Sequence, residues 1–192
     1  MFMSLSRLID SVNEKIAEAV SWTLMAAVII CAGNALMRYI FNYSSNAWLE
    51  IQWYLYAAMF MLASAYTLKR GDHVRIDVVV GRLSKRTQVW IDLFGFLVFL
   101  LPICLLILWY GIPYAMISIQ SQEMSSNAGG LIVWPAKLLL PVGFALLVLQ
   151  GISEIIKRIA FLTGRIDGHE FAKEVASPQD EIDAIKAANK ID

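Results

Sequence analysis

The side chains able to do chemistry are few in this chain, and their spacing excludes most kinds of it. The two histidines, His73 and His169, lie in charged stretches. A haem held between membrane helices would therefore lack its usual ligands. The two cysteines, Cys31 and Cys104, stand alone in apolar runs without a CxxC partner. Zinc and dithiol motifs are absent, and both read as small packing residues. There is no glycine-rich phosphate loop and no serine–histidine–aspartate set, so neither nucleotide-driven work nor nucleophilic catalysis is expected. What remains are ionisable residues at the ends of apolar runs: Arg38, Trp48-Leu49-Glu50, Gly71 with His73, Arg75 and Asp77, then Arg82, Lys85 and Arg86, and Lys137. These types at these places suit ion pairs, turns and lipid headgroups. An Arg38–Glu50 pair is expected, and Arg75, Arg82, Lys85 and Arg86 can reach lipid phosphates. No cofactor or metal site is expected.

The elements that position these residues follow from composition. Apolar types make up 58% of the 192 residues and charged types 17%, against about 45–50% and about 25% in soluble domains. The formal charge is zero, so a basic nucleic-acid footprint is excluded, as is disorder over most of the chain. Four runs lack Asp, Glu, Lys and Arg: residues 19–37, 51–68, 93–122 and 138–153. About 20 apolar residues cross a hydrocarbon core. The fourth run is short but extends past snorkelling Lys137 and beyond Glu154. The third is long and must tilt, kink at Pro102 or Pro113, or emerge early. The fold class is an all-α integral membrane protein with four spans, about 19–40, 47–68, 88–115 and 135–160. Residues 1–162 form the membrane domain and 163–192 a polar cytoplasmic tail.

All but Arg38 and Lys137 of the sixteen basic residues fall in the N-terminal segment, the 69–92 connection or the C-terminal segment. Both termini are therefore expected in the cytoplasm. Trp22, Tyr39, Trp48, Trp53, Trp90, Trp109 and Trp134 sit near span ends, where amphipathic rings prefer to lie. The first span is too long, and its lead too acidic, for a cleaved signal peptide.

Outside the spans, Leu5, Leu8, Ile9, Val12, Ile16 and Val20 recur at helical spacing. They predict an amphipathic helix leading into span one, lying in the interface or packed on its neighbours. Gly71 permits a turn, Ile76, Val79, Val80 and Leu83 form one face of a short helix, and Ser84 caps span three. Asn46 is a candidate cap for span two, residues 125–130 a flexible turn, and Pro135 suits the first turn of span four. The span centres hold no charge. Asn34, Ser64 and Gln150 are their main polar groups and suit helix–helix hydrogen bonds. Ser177-Pro178-Gln179-Asp180 resembles a helix start in the tail.

Several strings resemble the small membrane subunit, the Q-type component, of tripartite ATP-independent periplasmic (TRAP) transporters. They are Arg38-Tyr39-Ile40-Phe41-Asn42, Trp48-Leu49-Glu50, Arg70-Gly71-Asp72-His73-Val74-Arg75-Ile76-Asp77, and Trp134-Pro135-Ala136-Lys137 through Leu140-Pro141-Val142-Gly143-Phe144 to Leu149-Gln150-Gly151. Together they cover residues from about 10 to 160. The family often carries two adjacent acids after the tryptophan, whereas here Leu49 precedes Glu50, so a paired-carboxylate role does not carry over. The resemblance implies a bacterial inner-membrane location and a large membrane partner that holds the sodium and substrate sites. It also implies a periplasmic binding protein that delivers an organic acid, and a bracing role for this chain. Two other readings stay open: a small homo-oligomeric secondary transporter, which would need a charge within a span, and a membrane anchor for a redox enzyme.

Overall fold

The computed structural model describes residues 2–71 and 83–164, all helical but for the connections. The described residues form four helices: α1, Phe2–Phe41; α2, Asn46–Arg70; α3, Lys85–Gln120; and α4, Trp134–Leu162. α1, α3 and α4 are long and apolar enough to cross a membrane. α2 has 25 residues, enough length to cross, but Gln52, three tyrosines, Ser64 and Thr67 within residues 51–68 make it less apolar than the other three.

α1 absorbs the expected amphipathic segment into one 40-residue helix, about 60 Å long at 1.5 Å per residue. α2 ends where Gly71 takes φ 68°, its N–H bonding back to Leu68 O, a conformation glycine adopts without steric cost. α3 starts on Ser84, whose hydroxyl accepts from the Thr87 N–H. Within α3, Phe96–Leu100 forms a π turn just before Pro102. The extra residue loosens the helix where proline removes a donor. α4 opens with Pro135 in its first turn and carries Pro141 inside.

α1, α2 and α4 pack mutually, and α3 lies against α4. α4 runs parallel to α2 and antiparallel to α1 and α3. Small residues set the closest approach. A Cβ on Gly143 would lie 2.7 Å from the Met61 carbonyl oxygen, so α2 and α4 meet backbone to backbone. Gly143→Val is expected to destabilise the bundle by about 1–3 kcal/mol or more through overpacking, read as a lowered unfolding temperature in detergent.

The buried side of α1 takes in only part of its apolar stripe: Val20 is buried, and Ile9 and Ile16 are half-buried. Ser6, Asn13, Ala17, Val20 and Ala27 are buried, while Leu5, Leu8 and Val12 face outward. The polar stripe faces inward because α4 offers it Gln150, Ser153 and Glu154, all buried. Cys104 packs inside, but Cys31 lies on the outer face of α1. Ser64 bonds only to Met61 O in its own helix, whereas Gln150 does join helices. The short helix expected at 76–83 lies almost wholly outside the described residues, as does most of the tail.

Candidate functional site

Two polar assemblies occupy opposite ends of the bundle. At the end holding the α3–α4 connection, Glu50 stands in the first turns of α2. Its carboxylate accepts from the Ser125 hydroxyl, from Asn127 Nδ2 at 2.8 Å and from the Leu131 N–H at 2.6 Å. A charged acceptor makes each of these bonds stronger than a neutral one. Asn46 Nδ2 donates to Ala128 O at 2.9 Å, and the Tyr54 hydroxyl to Ile132 O at 3.1 Å. Asn46 therefore holds the connection and does not cap α2, whose cap position is Ser45. Residues expected to form a flexible turn are a hairpin-like loop pinned to α2. Its ends are tied by Ser125 N–H to Leu131 O at 2.9 Å and Val133 N–H to Glu123 O at 2.9 Å. Gly130 lies over the carboxylate, where a Cβ would fall 2.8 Å from Glu50 Oε1.

Glu123 closes the base of the same loop. It accepts from the Ser118 hydroxyl at 2.7 Å and pairs with Lys137, whose ammonium also lies 4.4 Å from the Tyr114 ring centre. The Lys137 bond, then the Ser118 bond, hold the Glu123 carboxyl below its usual value against the opposing pull of desolvation. A carboxyl whose folded pKa is depressed stabilises the fold above its unfolded pKa and loses that contribution as pH falls through the folded one. Acidification through and below the ordinary carboxylate range is therefore expected to lower the unfolding temperature of the wild type more than that of Glu123→Gln. Parallel pH profiles for the two proteins would refute this.

At the opposite end, α1, α3 and α4 are joined by an ion cluster. Lys157 pairs with Asp10 at 2.8 Å and Glu154 at 2.7 Å, and Arg158 with Glu154 at 2.5 Å and Asp92 at 3.2 Å. Gln150 Nε2 donates to Asp10 at 2.9 Å and Glu154 at 3.1 Å, and its oxygen accepts from Asn13 Nδ2 at 2.7 Å. Ser153 bonds Asp10 at 2.8 Å and the Ser6 hydroxyl at 2.7 Å. Glu154 and Arg158 are 1% and 3% exposed. The guanidinium also lies 4.5 Å from the Phe96 ring centre, at the π turn. Sequence reading missed this assembly. Its one signal was Gln150 in an apolar run, four residues before Glu154.

The expected Arg38–Glu50 pair is not among the ion pairs of the described residues. Arg38 is exposed in the last turn of α1, and the loop takes up the Glu50 carboxylate. Trp48 is half-exposed beside that loop. Gly71 ends α2, and Lys137 holds Glu123. Lys85 and Arg86 are exposed in the first turn of α3, with Arg86 Nη2 3.4 Å from Leu162 O. His73, Arg75, Asp77 and Arg82 lie outside the described residues. Among the described residues no group of His, Cys, Asp and Glu could hold a metal ion.

Residues 25–161 match the family described as tripartite ATP-independent periplasmic transporters, DctQ component. The chain belongs to the DctQ family. No curated protein matches it in a second comparison. The DctQ match runs from the C-terminal half of α1 through the loop to the last turn of α4, so it includes Glu50, Glu123, Glu154 and Arg158 but not Asp10. As a DctQ protein the chain is a small permease component of a TRAP transporter and not an enzyme. Neither polar assembly offers a reacting geometry: each acid is engaged by donors that hold helices or loops together.

Proposed function

We propose that this DctQ protein braces the large membrane subunit of a sodium-coupled TRAP system that takes up organic acids delivered by a periplasmic binding protein. In this reading four helices span the inner membrane, and both termini and the ion cluster lie on the cytoplasmic side. The 121–133 loop lies on the periplasmic side, and sodium and substrate are handled by the large subunit. The carrying observation is α3. It packs on α4 along one side and turns Leu97, Phe99, Leu106, Trp109 and Tyr110 outward along the other. An apolar face this long needs lipid or an apolar partner.

The loop supports a binding-protein contact. Glu50 is spent on shaping it, while Tyr43, Trp48 and Met124 stand exposed around it, the residue types favoured at protein interfaces. Lys85 and Arg86 suit the anionic inner leaflet.

Co-expression with the adjacent large subunit is expected to yield a complex. Sodium-gradient uptake of an organic acid is expected only when both membrane subunits and the binding protein are present. Sodium-driven uptake by liposomes holding this chain alone would overturn the reading.

A further inference from the structure

The buried positions of α1 recur every seven residues. Ser6, Asn13, Val20 and Ala27 are each 8% exposed or less. A second row, four residues on, runs Asp10, Ala17, Leu24, Cys31 and Arg38. Its first two members turn inward and its last three are exposed. A seven-residue repeat keeps one seam of a helix against its neighbours. The next position in the first row is Asn34, and there the cover ends. From Val28 to Phe41 every residue is exposed but Ile30 and Asn34, which are half-buried.

The register of the bundle explains the change. Thr23 Oγ1 lies 3.4 Å from Leu55 O, and Asn13 Nδ2 2.7 Å from Gln150 Oε1. Counted from those levels at one rise per residue, α2 starts opposite about residue 32 of α1, and α4 opposite about residue 29. The end of α1 therefore overhangs both helices by on the order of 15 Å. Asn42, at φ 51°, ends it, and residues 42–45 lead back to α2. The seam that packs α1 into the bundle thus runs on with no helix of this chain beside it.

The seam's polar groups decide what covers it. Among the described residues the side chains of Asn34 and Arg38 make no hydrogen bond or ion pair. Lipid tails offer an amide no partner, whereas asparagine bonds readily across two membrane helices. Cys31 and Ala35, one turn apart beside Asn34, are small enough for a second helix to come close. A second copy of this chain does not fit, because a symmetric pair of α1 helices sets Arg38 against Arg38 at one depth. A soluble protein does not fit either: Ile29, Leu36, Met37 and Ile40 keep the other sides of the overhang apolar.

We infer that the overhanging seam of α1 docks a membrane helix of the large subunit, which brings a hydrogen-bonding side chain to Asn34 and an acid to Arg38. The inference rests on the reading above for the partner's identity and adds where on this chain it binds.

The test places a photoreactive benzophenone side chain on the full chain, co-expressed with the large subunit. It replaces Cys31 or Ala35 on the seam, or Leu36 on the opposite side of the same turns. Cross-linking to the large subunit is expected from the two seam sites and not from position 36. Asn34→Leu is expected to weaken association, read by energy transfer in mixed micelles, about threefold to tenfold. The same change is expected to leave the unfolding temperature of the isolated chain within about 2 °C of wild type. Arg38→Glu is expected to weaken association more than Arg38→Lys does. Seam sites that cross-link only to lipid, only to a second copy, or no more to the large subunit than position 36 does would overturn the inference. So would an Asn34→Leu chain that unfolds early by itself yet associates as wild type does. In each of those cases wild-type co-purification with the large subunit leaves the bracing role standing. Failure of the wild type to co-purify would overturn that role and the inference with it.

Discussion

Arg158→Met is expected to destabilise the bundle by about 3–5 kcal/mol, because it takes one of two cations from the buried Glu154 and breaks the bridge to Asp92. The guanidinium bridges Glu154 and Asp92, and so ties α4 to α3 at the π turn. Glu154 is then left with Lys157 and Gln150, which already serve Asp10. A loss of this size lowers an unfolding temperature by on the order of 10 °C in a chain of this length. Replacing both partners, Glu154→Leu with Arg158→Met, is expected to cost less than the sum of the single changes, since an apolar pair of similar volume removes the desolvation problem with the attraction. Thermal unfolding of the three variants in one detergent checks this. Additive losses within about 0.5 kcal/mol would show that the two groups act independently.

Glu50→Ala is the second large effect expected, and it should be seen in function more than in the bulk fold. The carboxylate is the common acceptor for Ser125, Asn127 and the Leu131 amide. With it gone, the 121–133 loop keeps its own backbone bonds, the Asn46 and Tyr54 contacts, and at its base the Glu123 bonds to Ser118 and Lys137. The Leu131 N–H is then expected to exchange with solvent at least about tenfold faster, a local opening that leaves the helices closed. Uptake is expected to fall while the yield of complex with the large subunit holds, because the loop and not the helix faces is disturbed. Glu50→Gln is expected to be intermediate, since one amide oxygen still accepts while the amide nitrogen displaces a donor. Unchanged Leu131 exchange in Glu50→Ala would refute the loop-shaping role, and lost complex yield would move Glu50 from the loop to the helix interface.

The helices themselves were legible because charge-free runs and turn residues punctuate them. Gly71, Ser84 and Pro135 act where their backbone preferences place them. The inward side of α1 was not legible. Leu5, Leu8 and Val12 read as a face for the interface or for neighbouring helices, and they turn outward. Ser6, Asp10 and Asn13 turn inward because Ser153 and Gln150 of α4 bond them, and partners on another helix leave no mark in the pattern of α1. Glu50 was expected to pair with Arg38, and the loop takes up its carboxylate instead. Arg38 is nearer in sequence, but three donors from a loop about eighty residues away satisfy a carboxylate better than one solvated guanidinium. The ion cluster escaped notice because its members come from three separate helices, each ordinary in its own segment.

The antiparallel register of α1 and α4 has a geometric consequence. Asp10 on α1 stands level with Ser153 on α4, and Asp92 on α3 level with Arg158. The charge-free run of α1 begins nine residues above Asp10, whereas that of α3 begins beside Asp92. Across the width of the bundle the border of the oily belt at the ion-cluster end therefore drops by about 20 Å at 1.5 Å per residue. A flat bilayer can meet such a slanted belt only if the bundle leans or the leaflet is pinched on one flank. Any neighbour docked along α3 is held at an angle to the bilayer normal that one docked along α1 would not share.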